Sequence, residues 1–140
     1  MPSVLKISEA ATMALHAVAY LAHAKEGPVA TKTIAERLSC SEAHLSKVLQ
    51  RLTKSGILSA TRGPKGGFVI AKPTGQVSLL EVLEVIDGKL NHSACLFDHQ
   101  VCRGENCILG DLLPSINDQV KTYFERTTVD QLDGCIADGD

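Results

Sequence analysis

Hydrophobic positions fall along this chain in blocks of helical spacing, broken once by two short β-capable runs. Ser8 to Ala24 is apolar almost all round, interrupted by Thr12 and His16. A helix of that kind is buried on most faces, and its alanines admit a close neighbour. In so short a chain a partner subunit is expected to cover part of it. Glu26-Gly27-Pro28 ends the segment, and Thr31 or Thr33 is expected to cap a short helix through Ile34, Ala35 and Leu38. A turn follows at Ser39–Ser41, with Cys40 read as a core residue. Leu45, Val48, Leu49 and Leu52 then stand at offsets zero, three, four and seven, one stripe of a helix. Ser39 with Glu42 fits a capping box, Ser41 is an alternative N-cap, and Gly56 closes the far end. The β-capable runs are Ile57–Thr61 and Phe68–Ala71, separated by Arg62-Gly63-Pro64-Lys65-Gly66-Gly67. After the breaker Lys72-Pro73-Thr74-Gly75, Ser78 and Glu81 open a helix that turns Leu79, Leu80, Val82, Leu83 and Ile86 inward and stops at Gly88. Gly88 to Cys107 has no periodicity. From Ile108 to Arg126, Leu109, Leu113, Ile116, Val120 and Tyr123 step by four, three, four and three, the spacing of a coiled-coil seam. Pro114 fits that helix if Asp111 is its N-cap and the proline lies in the first turn. Ala137–Asp140 is read as a frayed end.

The polar positions give these elements a purpose. The face opposite the leucine stripe carries Ser41, Glu42, His44, Lys47, Gln50, Arg51 and Lys54, mostly donors and mostly basic. A basic helix followed at once by a hairpin with a cationic, glycine-rich tip is the pattern of a winged helix-turn-helix that reads double-stranded DNA. Ser41, Glu42, His44 and Lys47 are expected at base edges, and Arg51 and Lys54 at phosphate or simply in solvent. Arg62 and Lys65 are expected at the backbone or a narrow minor groove. Gly66, with Gly63 and Gly67, lets the tip turn sharply and approach the duplex. The predicted fold is therefore mainly α with a small β-hairpin. Residues 1–75 form a winged helix-turn-helix DNA-binding domain, and residues 76–140 a sensor loop (88–107) with a long C-terminal dimerisation helix. The seam points to a homodimer on a pseudo-palindromic operator; an intramolecular amphipathic helix is the alternative.

Charge agrees with that division. The whole chain carries −2. Thr31 to Pro73 holds eight Lys and Arg against two Glu, whereas Thr74 onward holds four against twelve acidic residues. A DNA-reading half joined to one that does not touch DNA has this asymmetry. Without a run of eighteen apolar residues or an export signal, the chain is expected in the cytoplasm and off the membrane. No phosphate loop, paired-carboxylate site or zincin motif is present, and a Cys–His pair would lack an oxyanion hole, so an enzyme is not expected.

Five cysteines, an odd number with no export signal, do not make a secreted disulfide framework. Cys95, Cys102 and Cys107 fall within the aperiodic loop, among Asp98, His99, Arg103, Glu105 and Asn106. Thiolates are the soft ligands that zinc, copper(I) and iron–sulfur clusters take. Three from one loop reach one site at the cost of closing two short loops. A thiol–disulfide switch is the competing reading.

The R-G-P-K-G-G-F motif after a leucine-rich helix, with three cysteines before a long helix, resembles the IscR/NsrR/CymR family of bacterial winged-helix regulators. The resemblance covers essentially the whole chain, including T-V-D-Q-L at Thr128–Leu132. It implies a homodimer with crossed long helices and a [2Fe-2S] or [4Fe-4S] iron–sulfur cluster on Cys95, Cys102 and Cys107; members without these cysteines respond to other signals. The chain departs from the family's even cysteine spacing, because Cys102 is displaced by one residue. Gly110 stands where the cluster-assembly regulators place a histidine, and Thr12 where the nitric-oxide sensors place an acid. His16 matches a histidine that some relatives carry one turn further along the first helix, which makes it the leading fourth ligand, donated across the dimer. A core histidine is the alternative for His16, and His92, His99 and Glu105 stay open as ligands, while His23 is read as surface.

Overall fold

A computed structural model describes residues 5–24, 27–90, 95–97, 99, 101–103 and 106–136. Glu26, His92, Asp98, Glu105 and the end from Ala137 to Asp140 lie outside the described residues. The first helix, α1, spans Glu9–Ala22 and is capped by Ser8, whose hydroxyl accepts the Ala11 N–H at 3.0 Å. Ala11, Ala14, Ala17 and Val18 on it are fully buried. Three later helices, the second strand and the C-terminal turn pack on α1. They bury much of its apolar surface and leave Ala10, Leu15, Tyr20 and Ala22 partly exposed.

The second helix, α2, spans Thr31–Leu38 with Ala30 at its N-cap and no side-chain cap, so neither Thr31 nor Thr33 plays that part. The reason lies upstream, where Val29 exchanges hydrogen bonds with Phe68 at 3.1 and 2.9 Å and fixes the entry to the helix. The exit is a left-handed turn. Ser39 adopts φ 52°, and the N–H groups of Ser39 and Cys40 bond back to the carbonyls of Glu36 and Ala35. Ser39 thus closes α2 and does not form a capping box with Glu42. Ser41 starts α3, Glu42–Lys54, by accepting the His44 N–H at 3.2 Å. Leu45, Val48, Leu49 and Leu52 are all buried, as their spacing requires. At the far end Gly56, at φ +91°, lets its own N–H and that of Ile57 reach the carbonyls of Thr53 and Leu52.

Strands β1, Leu58–Thr61, and β2, Gly67–Ile70, pair antiparallel, with Leu58 opposite Ile70 and Thr61 opposite Gly67. Helix α4, Leu79–Asp87, begins with the Ser78 hydroxyl accepting the Glu81 N–H at 3.1 Å. Its box is half formed, because the Glu81 carboxylate turns away to Lys72 at 2.6 Å. Leu79, Val82, Leu83 and Ile86 are buried, while Leu80 is only partly so.

Helix α5 spans Leu112–Arg126, with Asp111 before it and Pro114 in its first turn. Leu109 lies in the preceding turn, outside the helix. The buried aromatic is Phe124, whereas Tyr123 is 58% exposed. Val120 and Phe124, four residues apart, seat α5 on its own core, and Tyr123 of the predicted seam stands on the outside of the protomer. Beyond α5 the chain folds back. The Leu79 N–H bonds to the Thr127 carbonyl at 2.9 Å and the Val129 N–H to the Val77 carbonyl at 3.0 Å. His23 is half-buried, not surface, and its Nε2–H donates to the Val129 carbonyl at 3.0 Å. One continuous set of buried side chains runs from Ala11 to Val129. Among the described residues no helix is long and apolar enough to cross a membrane.

A left-handed residue with a Cβ carries a penalty that glycine escapes, so Ser39→Gly is expected to stabilise the protein by about 1 kcal/mol. The midpoint of urea denaturation measures this, and an unchanged or lower midpoint would show the turn to be unstrained.

Candidate nucleic-acid interface and thiol site

Burying the leucine stripe of α3 forces its other face outward. Ser41, Glu42, His44, Lys47, Gln50, Arg51 and Lys54 are all exposed. Ala43, between them in the first turn, is exposed too, a neutral neighbour that charge patterning overlooks. The Ser41 oxygen is occupied in capping α3, which leaves its O–H to donate.

Beside α3 the wing tip is a tight turn in which the Gly66 N–H bonds to the Gly63 carbonyl at 2.9 Å. Pro64 takes the second position of that turn, where its fixed φ belongs. Arg62 and Lys65 are exposed on it and make no ion pair among the described residues. Gly66 and Gly67 are sterically required. A Cβ at Gly66 would overlap the Thr61 carbonyl oxygen, and one at Gly67 the backbone of Val29. The second overlap lies at the Val29–Phe68 bridge, which seats the root of the wing against the approach to α2. The sequence did not reveal this bridge, because Val29 sits alone after Gly27-Pro28 and forms no strand pattern.

Arg51, which the sequence placed among the phosphate contacts, has a different partner. Its Nη2 donates to the Val85 carbonyl at 3.1 Å and the Ile86 carbonyl at 2.8 Å, the last turn of α4. That turn contains no basic residue of its own, which is the signal that a cation must come from elsewhere.

No disulfide joins any of the five cysteines. Cys95, Cys102 and Cys107 are half-buried, and the Leu109 N–H points at the Cys107 sulfur at 3.4 Å. Cys40 packs against the core beneath α1, and burial, with the nearby Glu9 carboxylate, pushes its thiol pKa up. It is thus held protonated and is a poor ligand. His16 is exposed, which removes the core-histidine reading, and its Nδ1–H donates to the Thr12 carbonyl at 2.7 Å. That bond sets the tautomer and leaves Nε2 with its lone pair, the arrangement usual for a ligating histidine. The cavity beside it, about 250 Å³, is lined by Glu9, Thr12, Met13, His16, Leu38 and Cys40, with no loop cysteine. His99 is exposed, its ring tilted against Phe97 at 5.9 Å. Three soft thiols and an imidazole suit an iron–sulfur cluster by donor chemistry. Among the described residues, however, no three such groups of one protomer converge on a point where a metal ion would sit.

Comparison with known proteins adds the following. The family model described as "Rrf2: Iron-dependent Transcriptional regulator" matches residues 7–133. The HTH-type transcriptional regulator IscR of Pectobacterium atrosepticum is 27% identical over 110 residues, 79% of this chain and 67% of that protein. Among solved structures, CymR (YrzC), the global cysteine regulator of B. subtilis, superposes with a TM-score of 0.77 at 27% identity, covering 92% of this chain and 96% of that one. IscR of T. potens does so with a TM-score of 0.71 at 25% identity, covering 92% and 86%.

Overpacking a tight contact costs about 1–3 kcal/mol, and Gly67→Ala is expected to lower stability by that amount by levering the wing off Val29. Gly27→Ala, which meets open space, is the control and is expected to melt like wild type. Identical thermal melts for the two variants would show that the bridge does not hold the wing.

Proposed function

This chain belongs to the Rrf2 family of transcriptional regulators, and on that premise we propose that it is a cytoplasmic homodimer whose grip on a pseudo-palindromic operator is set by its cysteine loop. The observation that carries the reading is the exposed polar face of α3 standing beside an exposed cationic wing tip. In this reading residues 1–75 read DNA and residues 76–140 sense and dimerise. Ser41, Glu42, His44 and Lys47 meet base edges in the major groove, where donor and acceptor patterns distinguish all four base pairs. Arg62, Lys65 and the Gly66 backbone approach phosphate or a narrow minor groove, supplying salt-sensitive affinity. Arg51 serves mainly to hold α3 on α4.

The dimer is supported by the unpartnered start of α5. Leu112 is 53% exposed and Ile108, just before it, 82%. Leu113 and Ile116 are half-exposed and lie outside the core cluster. A second copy laid along this stretch would cover all four.

Cys95, Cys102 and Cys107 form the proposed ligand set for an iron–sulfur cluster, with His16 of the second copy as fourth ligand. The exposed ring, its Nδ1 already committed to Thr12, supports that assignment. When bound, such a cluster supplies a centre sensitive to oxygen, nitric oxide or iron supply. The loop leaves the end of α4 and enters the start of α5, so whatever orders it acts on both helices. A second reading is thiol sensing without a cluster, in which two of the three half-buried loop cysteines pair on oxidation.

Replacing Cys102 by Ala is expected to abolish the visible absorbance of anaerobically purified protein while leaving it dimeric; a colourless wild type would instead select the thiol reading. Arg62→Ala is expected to weaken duplex binding and to reduce the salt slope by about one per protomer. An unaltered slope would take the wing out of the interface.

A further inference from the structure

The last four carbonyls of any α-helix lack partners within it. In α4 these belong to Glu84, Val85, Ile86 and Asp87. The Glu84 carbonyl is taken by the Gly88 N–H at 2.9 Å. Those of Val85 and Ile86 are taken by one guanidinium, that of Arg51, in the last turn of α3. The Asp87 side chain leads in the other direction. It accepts the Ser8 hydroxyl at 2.5 Å and faces the Ser8 N–H at 3.4 Å, at the point where α1 begins. A single turn of α4 therefore ties the end of the recognition helix to the start of α1. The residue that closes this turn, Gly88, opens the segment holding the three cysteines.

We propose that Arg51 is the positioning residue that couples the root of the cysteine loop to the DNA-reading end of α3. The role of that loop rests on the function proposed above; the coupling itself does not require a metal. Arg51 stands nine residues along α3 from Glu42, a lever of about 14 Å at 1.5 Å per residue. A tilt of about 5° at the Arg51 end moves the base-reading end by about 1 Å, enough to spoil hydrogen bonds confined to a window of about half an ångström. One nitrogen, Nη2, donates to two successive carbonyls and ties the turn of α4 to the end of α3. A lysine supplies charge and donors at that place, but on a shorter stem without the fixed planar head.

Coupling is reciprocal, so DNA bound at one end must be felt at the other. The test uses wild type, Arg51→Met and Arg51→Lys, with a duplex selected from a random library by the wild-type protein. Hydrogen exchange at the Gly88 amide is followed with and without that duplex. In wild type, DNA is expected to slow this exchange about five-fold or more, the lower end of ordinary coupling. In Arg51→Met the slowing is expected to vanish, and in Arg51→Lys to return in part. The salt slope of binding is expected to be unchanged in both variants. No protection at Gly88 in wild type, or equal protection in Arg51→Met, overturns the coupling. A salt slope lowered by about one per protomer, with affinity lost evenly across sequences, makes Arg51 a phosphate contact and overturns it equally. Colourless protein that still shows the protection pattern sinks the cluster reading alone and leaves the coupling standing.

Discussion

Close approach to the alanine face of α1 is the constraint on which the other elements depend. Ala11, Ala14 and Ala17 are fully buried, and side chains of that size leave room for neighbours at short range. Helices α2, α3 and α4, strand β2 and the C-terminal turn all reach α1. Because α3 must turn Leu45, Leu49 and Leu52 to this centre, its polar face has no direction left but outward. The outward polar face follows from a packing requirement made on the opposite side of the helix. A larger side chain at Ala14 or Ala17 would push α3 and α4 off the axis together.

The wing depends on a smaller contact of the same kind. Gly67 lies against the Val29 backbone with no room for a Cβ, and the Val29–Phe68 bridge ties β2 to the entry of α2. Helix and hairpin therefore share one support. The tip can present Arg62 and Lys65 at a fixed place beside α3 without a core of its own, which a two-stranded ribbon could not build.

The exposed basic groups and the thiols differ in how much structure holds them. The basic groups stand on α3 and on a tight turn, both braced by buried neighbours. The thiols stand on a segment whose described apolar residues Leu96, Phe97 and Val101 are exposed. The shared apolar core joins α4 to α1 and α3, and specific polar bonds are added at its edge: two carbonyls of α4 on Arg51, and Asp87 on Ser8.

Much of the fold was legible because it is written in periods and punctuation. The Leu45–Leu52 stripe, the Ser78 cap, Gly56, Gly88, the glycine-rich tip and the placement of Pro114 each depend on neighbours within a few residues, and the structure has them all. What the sequence could not decide turns on partners far away along the chain. Ser39 went to the end of α2 because its left-handed conformation was set by the turn. Thr31 lost its cap because Val29 pairs with Phe68. Phe124, which the predicted stripe left out, is the aromatic that α5 buries in its own core. Arg51 points to α4 because that helix end has no cation of its own. Local rules settle which residues can start, stop or face a helix. Only close packing settles which of several permitted partners each polar group meets, because that choice depends on distances that one-dimensional spacing does not contain.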